Sequence, residues 1–87
     1  MIGKVLVPTV LRIGKYRFFF FSNEGKEPCH IHIESGDGHA KFWLSPKIHL
    51  ALSQGMNAKD LSEISKLVRQ NDKKLVEAWD EFFSNKN

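Results

Sequence analysis

The pattern of apolar and polar residues changes once along the chain, near residue 56. Before it, apolar residues come in short runs or strict alternation, which predicts strands because successive strand side chains point to opposite faces. After it, they recur three and four positions apart, which predicts amphipathic helix. The chain is therefore predicted to be an α+β domain. A small antiparallel sheet of four to five strands occupies residues 5–52, and a C-terminal helix or bent helix pair follows over residues 58–83.

The first two strands are predicted to form a hairpin. Residues 5–13 are mostly apolar and rich in β-branched side chains. Pro8 lacks an amide hydrogen, so this strand either lies at an edge or begins only after the proline. A two-residue turn at residues 14–15 would place Arg12 directly opposite Arg17. The second strand contains four consecutive phenylalanines, so we expect both of its faces to be covered, with a partner subunit as one candidate for the cover.

A second hairpin carries most of the chemistry. Residues 30–34, His-Ile-His-Ile-Glu, alternate polar and apolar, and we place the turn at Asp37-Gly38. This turn pairs His32 with Trp43 and Glu34 with Lys41. One face of the hairpin then carries His30, His32, Glu34, Lys41 and Trp43. The other is the core face, with Ile31, Ile33, Phe42 and Leu44.

The helical region is predicted to begin at an Asn57 N-cap. Asn71-Asp72 interrupts its apolar stripe, so the helix bends there or divides in two. A continuous helix of ~26 residues would be ~39 Å long. Its end would then project beyond the sheet and offer a partner interface, formed by Trp79, Phe82 and Phe83.

Length and composition narrow the class of protein. The 87 residues fit a single domain, residues 1–87. We find no apolar run long enough for a membrane span and no signal-peptide pattern, and we expect no membrane partner. One cysteine, Cys29, excludes an internal disulfide and fits a reducing cytoplasm. The net charge is +3, and residues 1–23 carry four basic groups and no acidic one, which indicates an anionic partner such as nucleic acid. A solvated basic surface is the alternative.

Three interpretations of the histidine face stay open. In the first it binds a metal: His30 and His32 lie on one face, and Glu34, His39 or Cys29 would add ligands. His30, His32 and Glu34 would be three donors in a row, but a single straight strand rarely wraps around one ion, so a fourth ligand from the loop would be required. We therefore expect no resident cofactor and keep a divalent metal as the alternative.

The second interpretation is acid–base chemistry. Histidine titrates near neutral pH, so His30 and His32 suit proton transfer at a phosphate ester. The groups that would hold the phosphate or stack a base are Arg12, Arg17, Lys41 and Trp43. In the third interpretation the face only packs and binds another protein. Enzyme and binding protein thus both remain possible classes, and His39 and His49 receive no role.

Five motifs, in order, resemble one known bacterial family. They are Pro-Thr-Val-Leu-Arg-Ile-Gly-x-Tyr-Arg-Phe-Phe-Phe (8–20), Ser-Asn-Glu (22–24), Pro-x-His-Ile-His-Ile (28–33), Ala-Lys-Phe-Trp-Leu-x-Pro (40–46) and Glu-Ala-Trp-x-Glu-Phe-Phe (77–83). The family is called domain of unknown function four-one-six-zero. The resemblance covers about residues 8–83, so residues 1–7 are expected to be an N-terminal extension or edge strand.

The resemblance implies a compact α+β fold and a gene beside that of a second small protein, as in toxin–antitoxin pairs, with this family on the toxin side. It implies roles for Ser22, Asn23, Glu24, His30, His32, Lys41 and Trp43, with Asn23 and Glu24 expected to bind substrate. Our hypothesis is a toxin-side component of a bacterial two-gene module that acts on or binds RNA, with the neighbouring-gene protein as partner. We also expect a homo-oligomer. The alternatives are a non-enzymatic protein-binding or oligomerising module and a metal-binding protein.

Overall fold

A computed structural model describes residues 5–84 as one sheet and two helices. The strands pair antiparallel in chain order: β1 (Thr9–Ile13), β2 (Tyr16–Phe19), β3 (His30–Ser35), β4 (Gly38–Trp43) and β5 (His49–Gln54). The helices are α1 (Ala58–Gln70) and α2 (Asp72–Ser84). The predicted α+β fold is confirmed. Neither helix of residues 5–84 is long and apolar enough to span a membrane.

The first hairpin has the predicted register. Gly14 adopts a φ of +58°, which suits a tight turn, and Arg12 lies opposite Arg17. Strand β1 begins directly after Pro8, as one of the two alternatives required. Of the expected N-terminal extension, residues 1–4 lie outside the described part of the chain. Residues 5–7 form no strand, although Leu6 exchanges hydrogen bonds with Ser22.

Both faces of β2 are covered, and the cover comes from this chain. Phe20 lies 2% exposed under the aromatic rings of α2, including Trp79 and Phe82. Phe19 is also buried, on the opposite face, where it stacks on His32. The run of phenylalanines therefore needs no partner subunit to cover these two rings.

The predicted register of the second hairpin is wrong by two residues. The turn is formed by Gly36 and Asp37, so that Ser35 pairs with Gly38, and His30 pairs with Trp43. Gly36 has a φ of +57°, which favours glycine at that position. Gly38 belongs to β4 and lies so close to the turn after β5 that a Cβ there would be 2.8 Å from the Gly55 carbonyl oxygen. Because strand side chains alternate with period two, the shift changes every pair and leaves both faces as predicted.

The core lies between one sheet face and the two helices. Its fully buried side chains are Phe18, Ile31, Ile33, Ile64, Val68 and Leu75. They come from alternate positions on β2 and β3 and from the apolar stripes of α1 and α2. Each such side chain stabilises the fold by about 1.5–3 kcal/mol relative to an exposed one. The opposite sheet face therefore carries the histidines.

The helical region consists of two helices, as one of the alternatives proposed. Asn57 caps α1 by accepting a hydrogen bond from the Asp60 amide at 2.7 Å, which confirms the predicted N-cap. The break at Asn71 separates α1 from α2. Because α2 is a separate helix, it can turn back and pack on the sheet, and Trp79 is only 7% exposed in the core. The expectation that this aromatic end projects beyond the sheet was wrong.

Candidate functional site

A loop carboxylate joins the two histidines of β3. Oε1 of Glu24 lies 2.8 Å from His30 Nε2 and 2.9 Å from His32 Nε2. The three donor atoms all lie within 4.8 Å of one another. His30 is fully buried and His32 is 4% exposed. We call Glu24, His30 and His32 the Glu-His-His cluster.

The loop between β2 and β3 is folded so that it delivers Glu24. The Glu24 amide donates to the Phe21 carbonyl, and the Glu27 amide donates to the Glu24 carbonyl, which makes two successive turns. Gly25 then lies against the ring of Phe83, where a Cβ would come within 2.5 Å of a ring carbon. Helix α2 thus supports the loop, and a larger residue at position 25 would have to displace the Phe83 ring.

Aromatic rings surround both histidines. The ring of His32 packs between Phe19 and Phe21, with centroid distances of 5.4 and 4.8 Å. The ring of His30 packs against Trp79, with a centroid distance of 4.8 Å, and against Trp43 at 5.5 Å. These rings keep water away from the imidazoles, so the cluster sits in apolar surroundings that strengthen its electrostatic interactions.

The second nitrogen of His30 determines which atom of the ring can act as a ligand. Nδ1 lies 2.9 Å from the carbonyl oxygen of Pro28, and a carbonyl only accepts hydrogen bonds, so Nδ1 carries the hydrogen. In the neutral ring, Nε2 then carries a lone pair that faces the lone pairs of Glu24 Oε1, and the two atoms repel each other. A proton or a metal cation between these two atoms is needed to make the contact favourable.

His39 belongs to the network, although the sequence suggested it only as one optional metal ligand and gave it no other role. Its Nε2 lies 3.0 Å from His32 Nδ1, and the two rings stack with an interplanar angle of 9°. The corrected register explains this, because His39 lies opposite Glu34 in the hairpin and therefore on the histidine face. Two-residue alternation from Lys41 would have placed His39 on that face.

The cluster changes the acid–base properties of two of its members. Burial of Glu24 disfavours its charge, but hydrogen bonds from His30 and His32 outweigh this and hold the pKa of the carboxyl below its ordinary value. Burial is the largest influence on His32 and lowers the pKa of its imidazole, although its hydrogen bond with Glu24 acts the other way. The anionic carboxylate and the neutral imidazole are the forms that bind metal ions.

Two predicted metal ligands lie elsewhere. Glu34 forms an ion pair with Arg17 at 3.1 Å and does not converge with the histidines. Cys29 is half-buried in the partly buried shell of the core, and burial, together with Asp80 and Asp72, raises the pKa of its thiol to about 12. A thiol with that pKa stays protonated at neutral pH, which argues against Cys29 as a thiolate ligand of a metal ion.

The predicted phosphate-binding groups are divided between exposed and occupied side chains. Arg12 is exposed. Arg17 donates to Thr9 Oγ1 and to the Val7 carbonyl as well as to Glu34. Arg17 therefore has to give up contacts within its own chain before it binds a phosphate.

Lys41 and Trp43 lie side by side on the histidine face. The Lys41 ammonium group is 4.3 Å from the centroid of the Trp43 indole and 2.9 Å from a carboxylate oxygen of Glu27. Asn23 is exposed on the loop, next to Glu24. These positions put the lysine, the indole and the loop around the Glu-His-His cluster, while their predicted roles in substrate binding stay predictions.

The predicted partner interface at the end of α2 is used within the chain. Trp79 contacts Phe20 and His30, and Phe83 contacts Trp79 and the loop at Gly25. Phe82 is half-buried against the same core. Binding of a partner by these rings stays a prediction and would be limited to the parts of Phe82 and Phe83 that remain exposed.

The family model described as Domain of unknown function (DUF4160) matches residues 16–80. The chain belongs to this family. The matched segment contains the loop, the three histidine-bearing strands β3, β4 and β5, and most of α2, so the whole Glu-His-His cluster lies inside it. The searches of curated proteins and of solved structures gave no significant match.

Proposed function

We propose that this DUF4160 protein binds a divalent transition-metal ion, with zinc as the first candidate, through Glu24 Oε1 and the Nε2 atoms of His30 and His32. One observation carries the proposal. His30 is fully buried, its Nδ1 hydrogen is taken by the Pro28 carbonyl, and its Nε2 lone pair faces a carboxylate oxygen at 2.8 Å. A cation between those atoms turns a repulsive contact into an attractive one.

The surroundings of the donors fit a metal site. A histidine that binds a metal through one ring nitrogen usually donates the N–H of its other ring nitrogen to a carbonyl or another acceptor. His30 does so to the Pro28 carbonyl, and His32 can do so to His39. Zinc binds nitrogen and oxygen ligands at about 2.0–2.2 Å, so tetrahedral ligands lie roughly 3.3 Å apart. The Glu24–His30 and Glu24–His32 contacts, at 2.8 and 2.9 Å, would lengthen by about half an ångström, and the distance between the two histidine nitrogens, at most 4.8 Å, would shorten by up to about 1.5 Å to admit the ion.

The third ligand removes the objection raised by the strand alone. Two histidines on one straight strand hold their donors in a line, but Glu24 comes from the preceding loop and closes the triangle. Two histidines and one glutamate leave the fourth zinc position to water or substrate. A zinc ion in such a site can polarise a substrate oxygen or lower the pKa of bound water.

The test is metal binding by purified protein that has been stripped with a chelator and titrated with ZnCl₂ in a calorimeter, with elemental analysis of the product. We expect one zinc per chain and a higher melting temperature. Glu24→Gln keeps the shape of the side chain and should weaken binding at least about tenfold, since even outer-shell changes at metal sites cost 10- to 100-fold. The matched control is His49→Ala, which removes an exposed histidine on β5.

Three results would contradict the metal proposal. The first is wild-type protein that binds no zinc, cobalt or iron while circular dichroism shows it folded. The second is equal affinity in wild type and Glu24→Gln. The third is loss of binding in His49→Ala alone, which would mean that surface histidines hold the ion and that the cluster has no metal role.

We propose as a second candidate that the chain is the toxin-side component of a two-gene module and binds RNA. The support is the exposed Arg12 in the first hairpin and the Lys41–Trp43 pair next to the cluster, which combine positive charge with an aromatic ring. Because both histidines are buried, RNA would reach them only after the loop over residues 22–28 moved. The arrangement thus favours binding over hydrolysis.

Expression in a bacterial host tests this second candidate. Growth arrest that is relieved by the neighbouring gene product is the expected result, together with binding of single-stranded RNA that weakens with salt. Arg12→Ala and Trp43→Ala should each weaken RNA binding. No arrest and no RNA binding at low salt would refute it, and arrest by a His30→Ala/His32→Ala variant equal to wild type would remove any catalytic role of the histidines.

A further inference from the structure

Strand β5 has an unusual surface for the last strand of a sheet. In the described residues 5–84 no strand lies beyond it, so its outer backbone groups are unpaired in the sheet. Leu50 is 45% exposed and Leu52 is 41% exposed. The neighbouring residues His49 and Ala51 are also exposed, so the helices leave β5 uncovered over most of its length.

The two leucines face opposite sides of the sheet. Cross-strand partners share a face, and Leu50 pairs with Phe42, a core residue, whereas Leu52 pairs with Lys41 on the histidine face. A register shift between these pairs makes this possible, because the bulge adds one residue to β5. An additional strand beside β5 would therefore shield apolar surface on both faces at once.

The opposite edge of the sheet is protected in the ways that natural proteins use. Strand β1 follows a proline, carries Arg12 within its five residues, and is twisted by its own register shift. Strand β5, His-Leu-Ala-Leu-Ser-Gln, contains neither proline nor any lysine, arginine or acidic residue. Of the two edges, only β5 is thus open to pairing with another strand.

We propose that a second copy of this chain pairs with β5 through its own β5, antiparallel, to form a closed two-fold dimer with a continuous sheet. Charge favours a second copy. The chain has a net charge of +3, so most contacts between two copies bring like charges together. Strand β5 contains no lysine, arginine or acidic residue, so two β5 strands can pair without that repulsion. Antiparallel pairing is the arrangement that two-fold symmetry gives for identical strands.

The symmetry also limits the assembly to two chains. Each copy has one open edge, and the dimer consumes both, leaving the protected β1 strands at the two ends of the ten-stranded sheet. The partner strand would lie about 4.8 Å from β5. The dimer interface thus lies on β5, away from the aromatic end of α2 that the sequence indicated.

The first experiment is analytical ultracentrifugation of the full chain over a concentration series, in buffer containing a chelator so that the result does not depend on the metal proposal. We expect a reversible monomer–dimer equilibrium with a Kd of about 1 μM to 1 mM, as small interfaces give. Leu52→Lys places a charge on the edge and should weaken dimerisation at least tenfold. The control, Ser62→Lys, adds the same charge on the exposed surface of α1.

A purely monomeric chain across the series would overturn the proposal. Equal effects of Leu52→Lys and Ser62→Lys would assign the weakening to net charge and overturn it too, and growth beyond a dimer would overturn the closed symmetry. Hydrogen exchange provides a second, independent measurement, because it works in wild type. Amides of β5 should gain protection as concentration rises, while those of β1 stay unchanged; the reverse pattern would place the interface at the other edge.

Discussion

Replacing Glu24 by alanine removes the loop carboxylate that contacts both His30 and His32. In metal-free protein, a proton between Glu24 Oε1 and His30 Nε2 makes that contact a charge-assisted hydrogen bond, and His32 Nε2 can donate a second one; both rings are buried. Without the carboxylate, two polar nitrogens face a small cavity lined by aromatic rings. We therefore expect this variant to lose stability in metal-free buffer, independently of whether a metal ion binds.

The loss can be estimated from the two hydrogen bonds. Hydrogen bonds to charged groups contribute about 1.5–3 kcal/mol each, and a buried polar group left without a partner costs about 1–3 kcal/mol. The Glu24 side chain is 17% exposed, so water can enter and replace part of what is lost. We expect the free energy of unfolding to fall by about 2–4 kcal/mol, a large share of the roughly 5–15 kcal/mol of a small domain.

Urea denaturation followed by tryptophan fluorescence measures this change, with chelator present throughout. The matched control is Glu27→Ala in the same loop, whose carboxylate is 41% exposed and pairs with Lys41. That pair should contribute less than about 1 kcal/mol. A Glu24→Ala variant within 0.5 kcal/mol of Glu27→Ala would refute the reasoning that the Glu-His-His cluster holds the loop in place.

Three further predictions concern the scaffold and the thiol. Asn57→Ala should lower the free energy of unfolding by about 1 kcal/mol, because the Asp60 amide loses its acceptor; no change in urea would contradict the cap. Ile33→Ala should cost about 2–5 kcal/mol, against less than about 1 kcal/mol for Val5→Ala at an exposed position away from β5, in the same assay. Cys29 should react with iodoacetamide at pH 8 far more slowly in folded than in unfolded chain, since at a pKa of about 12 roughly one thiol in ten thousand is ionised; equal rates would show the thiol to be accessible and unperturbed.

Local sequence signals predicted most of the scaffold. The alternation in residues 30–34 assigned Ile31 and Ile33 to the core face, and Asn57 marked the start of α1. These features depend on neighbours in the chain, which is why propensity and period reveal them. The turn of the second hairpin was misplaced because Gly36-Asp37 and Asp37-Gly38 are both good turn sequences. What distinguishes them is a contact between Gly38 and Gly55, which lies far along the chain.

The sequence predicted the two histidines of the site but not their contact with Glu24. The strand period placed His30 and His32 together, and the family motif drew attention to Glu24, but only as a substrate-binding residue. Their convergence depends on how the loop folds against Phe83, seen in the close approach to Gly25. No local pattern encodes that contact, because Gly25 and Phe83 are 58 positions apart in the chain.

The sequence by itself determined the fold class, the two faces of the hairpin and the position of the helical region, because each follows from residues a few positions apart. Tertiary structure alone decided that the histidines are buried, that Glu24 joins them, that Arg17 is already paired, and that the end of α2 packs on the sheet. Those outcomes depend on packing between segments that are far apart in the sequence. On the polar face of the hairpin, His30 and His32 are therefore buried in a cluster that the preceding loop closes.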